Sequence, residues 1–281
     1  MDKATTHQGR NYYQYIVPLM IILAVFMICN PVLKNGILDG WDDTEYFTYE
    51  EVIKQNIPEI FSNYHLGMYQ PLSVLTLSMN YEDSEANARE YHATSLFLHI
   101  LNILLVWLLA LALTGRRTIA GIVAFLFAFH PMNVEAVAWI SARSTLLFTA
   151  FYLGGLLAYL KYLESRKPVY LVITFLLAIL SFFSKSLAMS FPFVLLVIDY
   201  FKQRKWSPGL ALEKLPFLIL SVIFGLIAID AAQAYGHITG LQQDYSLMNH
   251  FFILCHTYVF YLFKFVAPVN LSPIYAYPDL N

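Results

Sequence analysis

Long apolar runs separated by short polar breaks dominate the chain. They lie at Tyr15–Leu33, Ala93–Thr114, Thr118–His130, Ser144–Leu163, Val169–Ser184, Leu187–Tyr200, Leu215–Ala234 and Phe251–Pro268. A helix needs roughly 20 mostly apolar residues to cross the hydrocarbon core of a bilayer, and several of the runs reach that length. The pattern predicts an all-α integral membrane protein, a polytopic helical bundle of about eight spans. The third, fifth and sixth runs are short for a crossing, so an unusual tilt, re-entry or extension through neighbouring turns is open to them.

Composition excludes a soluble domain, since 58% of residues are hydrophobic and only 13% are charged. A formal charge of −2 gives no footprint for nucleic acid, but it conceals a strong asymmetry. Alternating the spans from a cytoplasmic N-terminus places 12 of the 17 Lys and Arg residues inside, among them Arg116, Arg117, Lys161, Lys202, Arg204, Lys205, Lys214 and Lys264. The first run ends without a small-x-small cleavage pattern and is expected to remain as an anchor. Cys29 and Cys255, the only cysteines, fall inside predicted spans and suit small apolar side chains rather than a disulfide or a metal site.

The first outer loop, Lys34–Tyr91, carries eleven acids against Lys34, Lys54 and Arg89. A loop of this length without linker composition is expected to be structured. Within it, Glu45–Ile60 alternates apolar residues with acids and suits a helix at the membrane interface. The whole chain, 1–281, reads as one transmembrane domain with this loop as its principal extracytoplasmic feature.

Polar residues within spans are costly in lipid and mark candidate chemistry. His92, Ser95, His99 and Asn102 fall on one face of the second span and must look into the bundle, as interhelical hydrogen bonds or as part of a site. They are poor zinc ligands, with only two His and no carboxylate or Cys at ligand spacing. In the His130–Arg143 segment, Pro131 suits the start of a short helix on which Glu135, Trp139 and Arg143 share a face. Lys185 is stranded on the outer side, which fits either an anionic partner or a snorkelling side chain. Asp230 has no evident partner. Asp42-Asp43, directly after the first span, is the sharpest chemical signal, an acidic pair facing outer-loop cations.

These residues carry a resemblance. Trp41-Asp42-Asp43, Tyr69-Gln70-Pro71-Leu72, His92 through His99 and Asn102, the His130–Arg143 block, Ser184-Lys185, Pro192 to Asp199-Tyr200 and Ala267-Pro268-Val269-Asn270-Leu271-Ser272 occur in that order. Together they closely resemble the membrane half of the transmembrane-and-tetratricopeptide-repeat proteins, its bacterial members most of all. That family belongs to the GT-C class of integral-membrane glycosyltransferases, whose animal members are O-mannosyltransferases. The resemblance implies an inverting transfer of a mannose-like sugar from a polyprenyl-phosphate lipid donor to a protein or glycan acceptor hydroxyl at the outer face.

Carried over, the catalytic base falls on Asp42 or Asp43. The second Asp would orient the first, raise its pKa, or hold a divalent cation such as Mg or Mn. Arg143 and Lys185, with His130 and His92, are candidates to bind the donor phosphate. Glu135, Trp139, His99, Asn102, Tyr69 and Gln70 would line the site. The chain departs from the family pattern at Gln70, Thr145 and Ser186, where the family often has charged residues. The family's later spans and repeats have no counterpart, so the chain is expected to be the front part of a longer protein. Bacterial likeness favours an inner membrane with the acidic loop in the periplasm, and a eukaryotic member would sit in the endoplasmic reticulum. The alternatives are a non-catalytic membrane subunit of the same fold and a lipid or small-molecule transporter, the latter opposed by the absence of an inverted repeat.

Overall fold

A computed structural model describes residues 13–39, 41–47, 52–84, 87–236, 246–272 and 275. Lys3, Arg10, Tyr49, Glu50, Glu51, Glu85, Pro273 and Pro278 lie outside the described residues. The helices are α1 (Tyr13–Cys29), α2 (Asp42–Phe47), α3 (Ile57–Ser62), α4 (Pro71–Ser84), α5 (Ala88–Thr114) and α6 (Arg117–Phe129). They continue with α7 (Val134–Ala138), α8 (Arg143–Ser165), α9 (Pro168–Ser184), α10 (Phe191–Phe201), α11 (Pro208–Ala234) and α12 (Leu247–Val266). The described residues form no β-strand.

The centre of the bundle is α5, which packs on α1, α6 and α8, while α8 pairs along its length with α9. Its 27 residues span about 40 Å, enough to cross a bilayer at a tilt. Gly115, at φ +66°, closes its C-terminus in the left-handed region and returns the chain into α6. On α6, the buried Ala120, Ala124 and Ala128 form a stripe of small side chains that lets it lie close against α5 and α1, as lipid-embedded helices require. A second core of Tyr159, Phe182, Phe191 and Phe217 fills the space between α8, α9, α10 and α11.

All eight predicted runs form helices, and among the described residues four, or five with one bent pair, are long and apolar enough to cross a bilayer. Ile16–Lys34, Ala88–Thr114, Arg143–Ser165 and Pro208–Ala234 are long and apolar enough to span, and α6 with Pro131–Ala138 makes a fifth only as one unit bent by 55°. Pro131 causes the break, because it holds His130 in extended backbone and ends α6 at Phe129. The 17 residues of α9 reach only about 25 Å, and Ser186–Phe201 is likewise short.

The direction expected for the eighth run is not the one observed. The C-terminal end of α12 meets the C-terminal end of α6: His130 Nε2 lies 2.9 Å from the Phe265 carbonyl oxygen, and the two rings stack at 4.9 Å. This is the end of the bundle at which α11 finishes, where Tyr64 donates to Asp230 at 2.7 Å and Tyr235 to the Tyr64 carbonyl at 3.1 Å. Asp230 is therefore partnered, and Lys264 sits at the acidic end instead of among the basic loops. Its ammonium caps the chain after α12 through the Val269 and Asn270 carbonyls, at 2.7 and 3.0 Å.

At the opposite, basic end, α8, α10 and α11 are locked by a buried ionic cluster. Lys214 Nζ lies 2.9 Å from Asp199 Oδ2, and Arg204 bridges Asp199 and Glu213 at 3.0 and 2.9 Å. Tyr159 donates to Asp199 at 2.6 Å and Tyr162 to Glu213 at 2.8 Å. The hydrogen bonds to Glu213 hold the Arg204 guanidinium well above its ordinary pKa. Lys214 is 2% exposed, so Lys214→Met strands negative charge in a dry site. A loss of about 3–5 kcal/mol is expected, read as a lower thermal midpoint in detergent, with Asp199→Asn added to Lys214→Met restoring part of it.

Candidate active site

The acidic loop folds as a small unit capping the bundle. Tyr46, Phe47, Ile53, Ile60, Val74, Leu77, Tyr91 and Ile140 form its core. The continuous helix predicted over Glu45–Ile60 is not present: α2 ends at Phe47 and α3 begins at Ile57, capped by Asn56, whose side chain accepts from Glu59 N–H while Glu59 accepts from Asn56 N–H. Tyr46, Phe47, Ile53 and Ile60 of that stretch are buried with Val74 and Leu77 of α4, while Ile57 is exposed.

Asp42 and Asp43 open α2, where carboxylates favour the helix N-terminus. Their surroundings differ. Asp43 is 1% exposed; its Oδ1 accepts the Ser141 N–H at 3.0 Å and the Ser141 hydroxyl, and Oδ2 accepts the Leu38 N–H at 3.3 Å. Trp41 packs edge-on against Trp139 at 5.4 Å, so the start of α2 is clamped twice to the segment before α8. Asp42 is partly exposed and within electrostatic reach of Tyr46, one helical turn on. The Tyr46 hydroxyl accepts from Gln70 Nε2 at 3.2 Å, and burial pushes its pKa up, keeping the phenol neutral. Tyr69 donates to the Phe61 carbonyl at 2.9 Å and packs on Phe183 and Phe224, tying the loop to α9 and α11.

Arg143 does not share a helical face with Glu135 and Trp139. The short α7 stops at Ala138, Trp139 is its extended C-cap, and Arg143 begins α8. Its side chain is fully buried. One guanidinium nitrogen donates to the Thr76 carbonyl at 2.9 Å and Asn80 Oδ1 at 2.7 Å, the other to the Tyr91 carbonyl at 3.0 Å. It braces α4 and α5 against α8. Glu135 is exposed and acts electrostatically on Lys185. The Lys185 ammonium donates to Thr145 Oγ1 at 2.8 Å. Burial lowers the Lys185 pKa, and Glu135 partly opposes that.

Glu135→Gln removes the opposing charge and drops the Lys185 pKa further, so Lys185 turns neutral at lower pH. Any activity that needs its charge is then lost at lower pH than in the parent, which a pH–rate profile of the two proteins measures.

The stripe on α5 looks inward. His99 Nε2 lies 3.3 Å from the Ala128 carbonyl and its ring stacks on Phe127, while Asn102 donates to the Leu146 carbonyl at 2.9 Å. These bonds join α5 to α6 and α8. His92, nearest the acidic end, lies 3.4 Å from the Gly36 carbonyl and within electrostatic reach of Asp43 and Arg143. His130 accepts the Met132 N–H on Nδ1, and its Nε2 lies against Phe265. Both its nitrogens are thus engaged with backbone.

Sequence patterning missed Ser141, Thr145 and Tyr46. Only Tyr46 left a local signal, four residues after Asp42. Among the described residues no three His, Cys, Asp or Glu side chains gather at metal-binding separation. The Asp43 oxygens face the N–H groups of Leu38 and Ser141 and the Ser141 hydroxyl.

The chain is similar to proteins named protein O-mannosyl-transferase. It is 26% identical to one from Caenorhabditis elegans over 266 residues, 91% of this chain and 37% of that protein. It is 32% identical to one from Drosophila melanogaster over 133 residues, 47% of this chain and 15% of the relative. With the Homo sapiens protein O-mannosyl-transferase TMTC3 the identity is 34% over 101 residues, 36% of this chain and 10% of the relative. The chain therefore spans little more than a third of these relatives at most. All three are animal proteins and give no particular support to the bacterial type. No family model matches, and no solved structure matches.

Proposed function

We propose that this chain forms the acidic-end active centre of an inverting glycosyltransferase. It moves a mannose-like sugar from a polyprenyl-phosphate donor to a protein hydroxyl at the outer membrane face. The observation that carries this reading is the unequal acidic pair: Asp43 saturated and buried, Asp42 partly exposed beside it on the same helix.

In this mechanism Asp42 takes the proton of the acceptor hydroxyl as its oxygen bonds to the anomeric carbon. The bond from that carbon to the phosphate oxygen breaks on the opposite face, and the electron pair leaves with the lipid phosphate. Asp43, held by Ser141 and Leu38, fixes the start of α2. Lys185, whose ammonium donates to the Thr145 hydroxyl, supplies the charge that meets the departing phosphate. Arg143 acts by bracing the frame. The similarity to protein O-mannosyl-transferases supports the transferase reading and a protein acceptor. The acidic end is then extracytoplasmic and the N-terminus cytoplasmic, which the Lys and Arg distribution supports.

The test supplies membrane-reconstituted protein with polyprenyl-phosphate mannose and a Ser/Thr peptide. Labelled mannose is expected on the peptide from the lipid donor and not from a nucleotide sugar. Transfer from the nucleotide sugar alone contradicts the donor assignment.

A further inference from the structure

The face of the bundle formed by α1 and α6 takes no part in the candidate site. A groove of about 820 Å³ lies along it, with Trp107 of α5 among its lining residues. Its walls are apolar, with Met20 and Ile21 on one side and Ile122 and Phe125 on the other, and among the described residues Arg117 is the one charged side chain that lines it, beside Thr118. Arg116, exposed, precedes Arg117 in the chain. Where the walls converge, α6 carries Gly121: a Cβ there would lie 3.1 Å from Val17 Cγ1.

The groove is polar at one end only, and that end is the basic one. From Arg117 to Phe129, α6 rises about 18 Å, close to half the roughly 30 Å hydrocarbon core and hence to the depth of one leaflet. A sugar donor with its phosphate at the acidic end would bring its charge to Ile28 and Phe129, where the lining is apolar. A lipid of the opposite leaflet brings its phosphate to Arg117 and Arg116 and to the positive end of the α6 dipole, while one acyl chain fills the groove. Basic pockets between spans on the cytoplasmic side recognise anionic headgroups in this way.

We propose that the α1–α6 groove is a binding site for an anionic phospholipid of the leaflet at the basic end, its headgroup on Arg116 and Arg117. The site is separate from the acidic centre and stands whether or not the transfer reaction is assigned correctly.

The protein is purified in mild detergent with equal mole fractions of phosphatidylglycerol and phosphatidylcholine, and retained lipid is counted by native mass spectrometry. Phosphatidylglycerol is expected to be retained in preference. Arg116→Gln with Arg117→Gln should lower its retention roughly thirtyfold, the effect of removing two cations near the membrane surface. Ile122→Trp narrows the groove with the charges intact and should also lower lipid retention; Ile122 is 55% exposed, so this variant leaves the core untouched. Equal retention of the two lipids overturns the proposal. Retention unchanged by Ile122→Trp overturns it too, since the headgroup then rests on the basic surface alone. Displacement by stoichiometric polyprenyl phosphate overturns it in favour of the sugar donor as occupant.

Discussion

Asp42→Asn is expected to lower mannosyl transfer at least about a hundredfold while shifting the thermal midpoint only slightly, by the loss of one carboxylate at the start of α2. The amide has the size of the carboxylate but cannot accept the acceptor's proton, and Asp42 is the member of the pair with exposed surface. Asp43→Asn should behave differently. There the Leu38 N–H, which now meets a carboxylate oxygen at 3.3 Å, faces an amide NH₂ if Ser141 keeps the remaining oxygen. A donor set against a donor in a buried site costs about 1–3 kcal/mol, so this variant should lose stability together with activity. Transfer assays paired with thermal melts separate the two roles, and the reverse pattern would exchange them.

Arg143→Ala is expected to destabilise the fold by about 3–5 kcal/mol, measured in detergent as a lower thermal midpoint. The substitution empties a large volume at a fully buried position and removes three charge-assisted hydrogen bonds. Arg143→Lys should fall between the two, because an ammonium keeps the charge but cannot reach both the Thr76–Asn80 pair and the Tyr91 carbonyl with the geometry of a planar fork. A residue serving mainly as a phosphate ligand would behave otherwise, with Ala leaving the midpoint intact and depressing transfer alone.

These cases mark how much was legible in the sequence. Apolar run length and the placement of Lys and Arg depend on each segment's own composition, and from them the helical bundle and its basic and acidic ends were evident. The inward stripe of His92, Ser95, His99 and Asn102 was readable for the same reason, since helical periodicity is local. Pro131 is a local start signal, but nothing local marks the end of α7 at Ala138, so periodicity alone puts Arg143 on a shared face it does not occupy.

The remaining features depend on contacts between distant segments. Tyr64 finds Asp230, Ser141 finds Asp43, and Phe265 finds His130, and no window along the chain contains both members of any pair. The direction of α12 rests on the last contact, so alternation of spans alone puts Lys264 at the basic end. The unequal surroundings of Asp42 and Asp43 also needed the fold, because adjacent identical residues carry no local information that tells them apart.

The central claim is that Asp42 drives an inverting transfer from a lipid-linked sugar. The most direct measurement supplies vesicles holding the protein with polyprenyl-phosphate mannose labelled at the anomeric carbon and a Ser/Thr peptide, and reads the anomeric configuration of the product by NMR. The account predicts a mannosyl peptide of configuration opposite to the donor, formed by the parent protein and lost in Asp42→Asn. A product of the donor's own configuration, or equal product from Asp42→Asn, would contradict it.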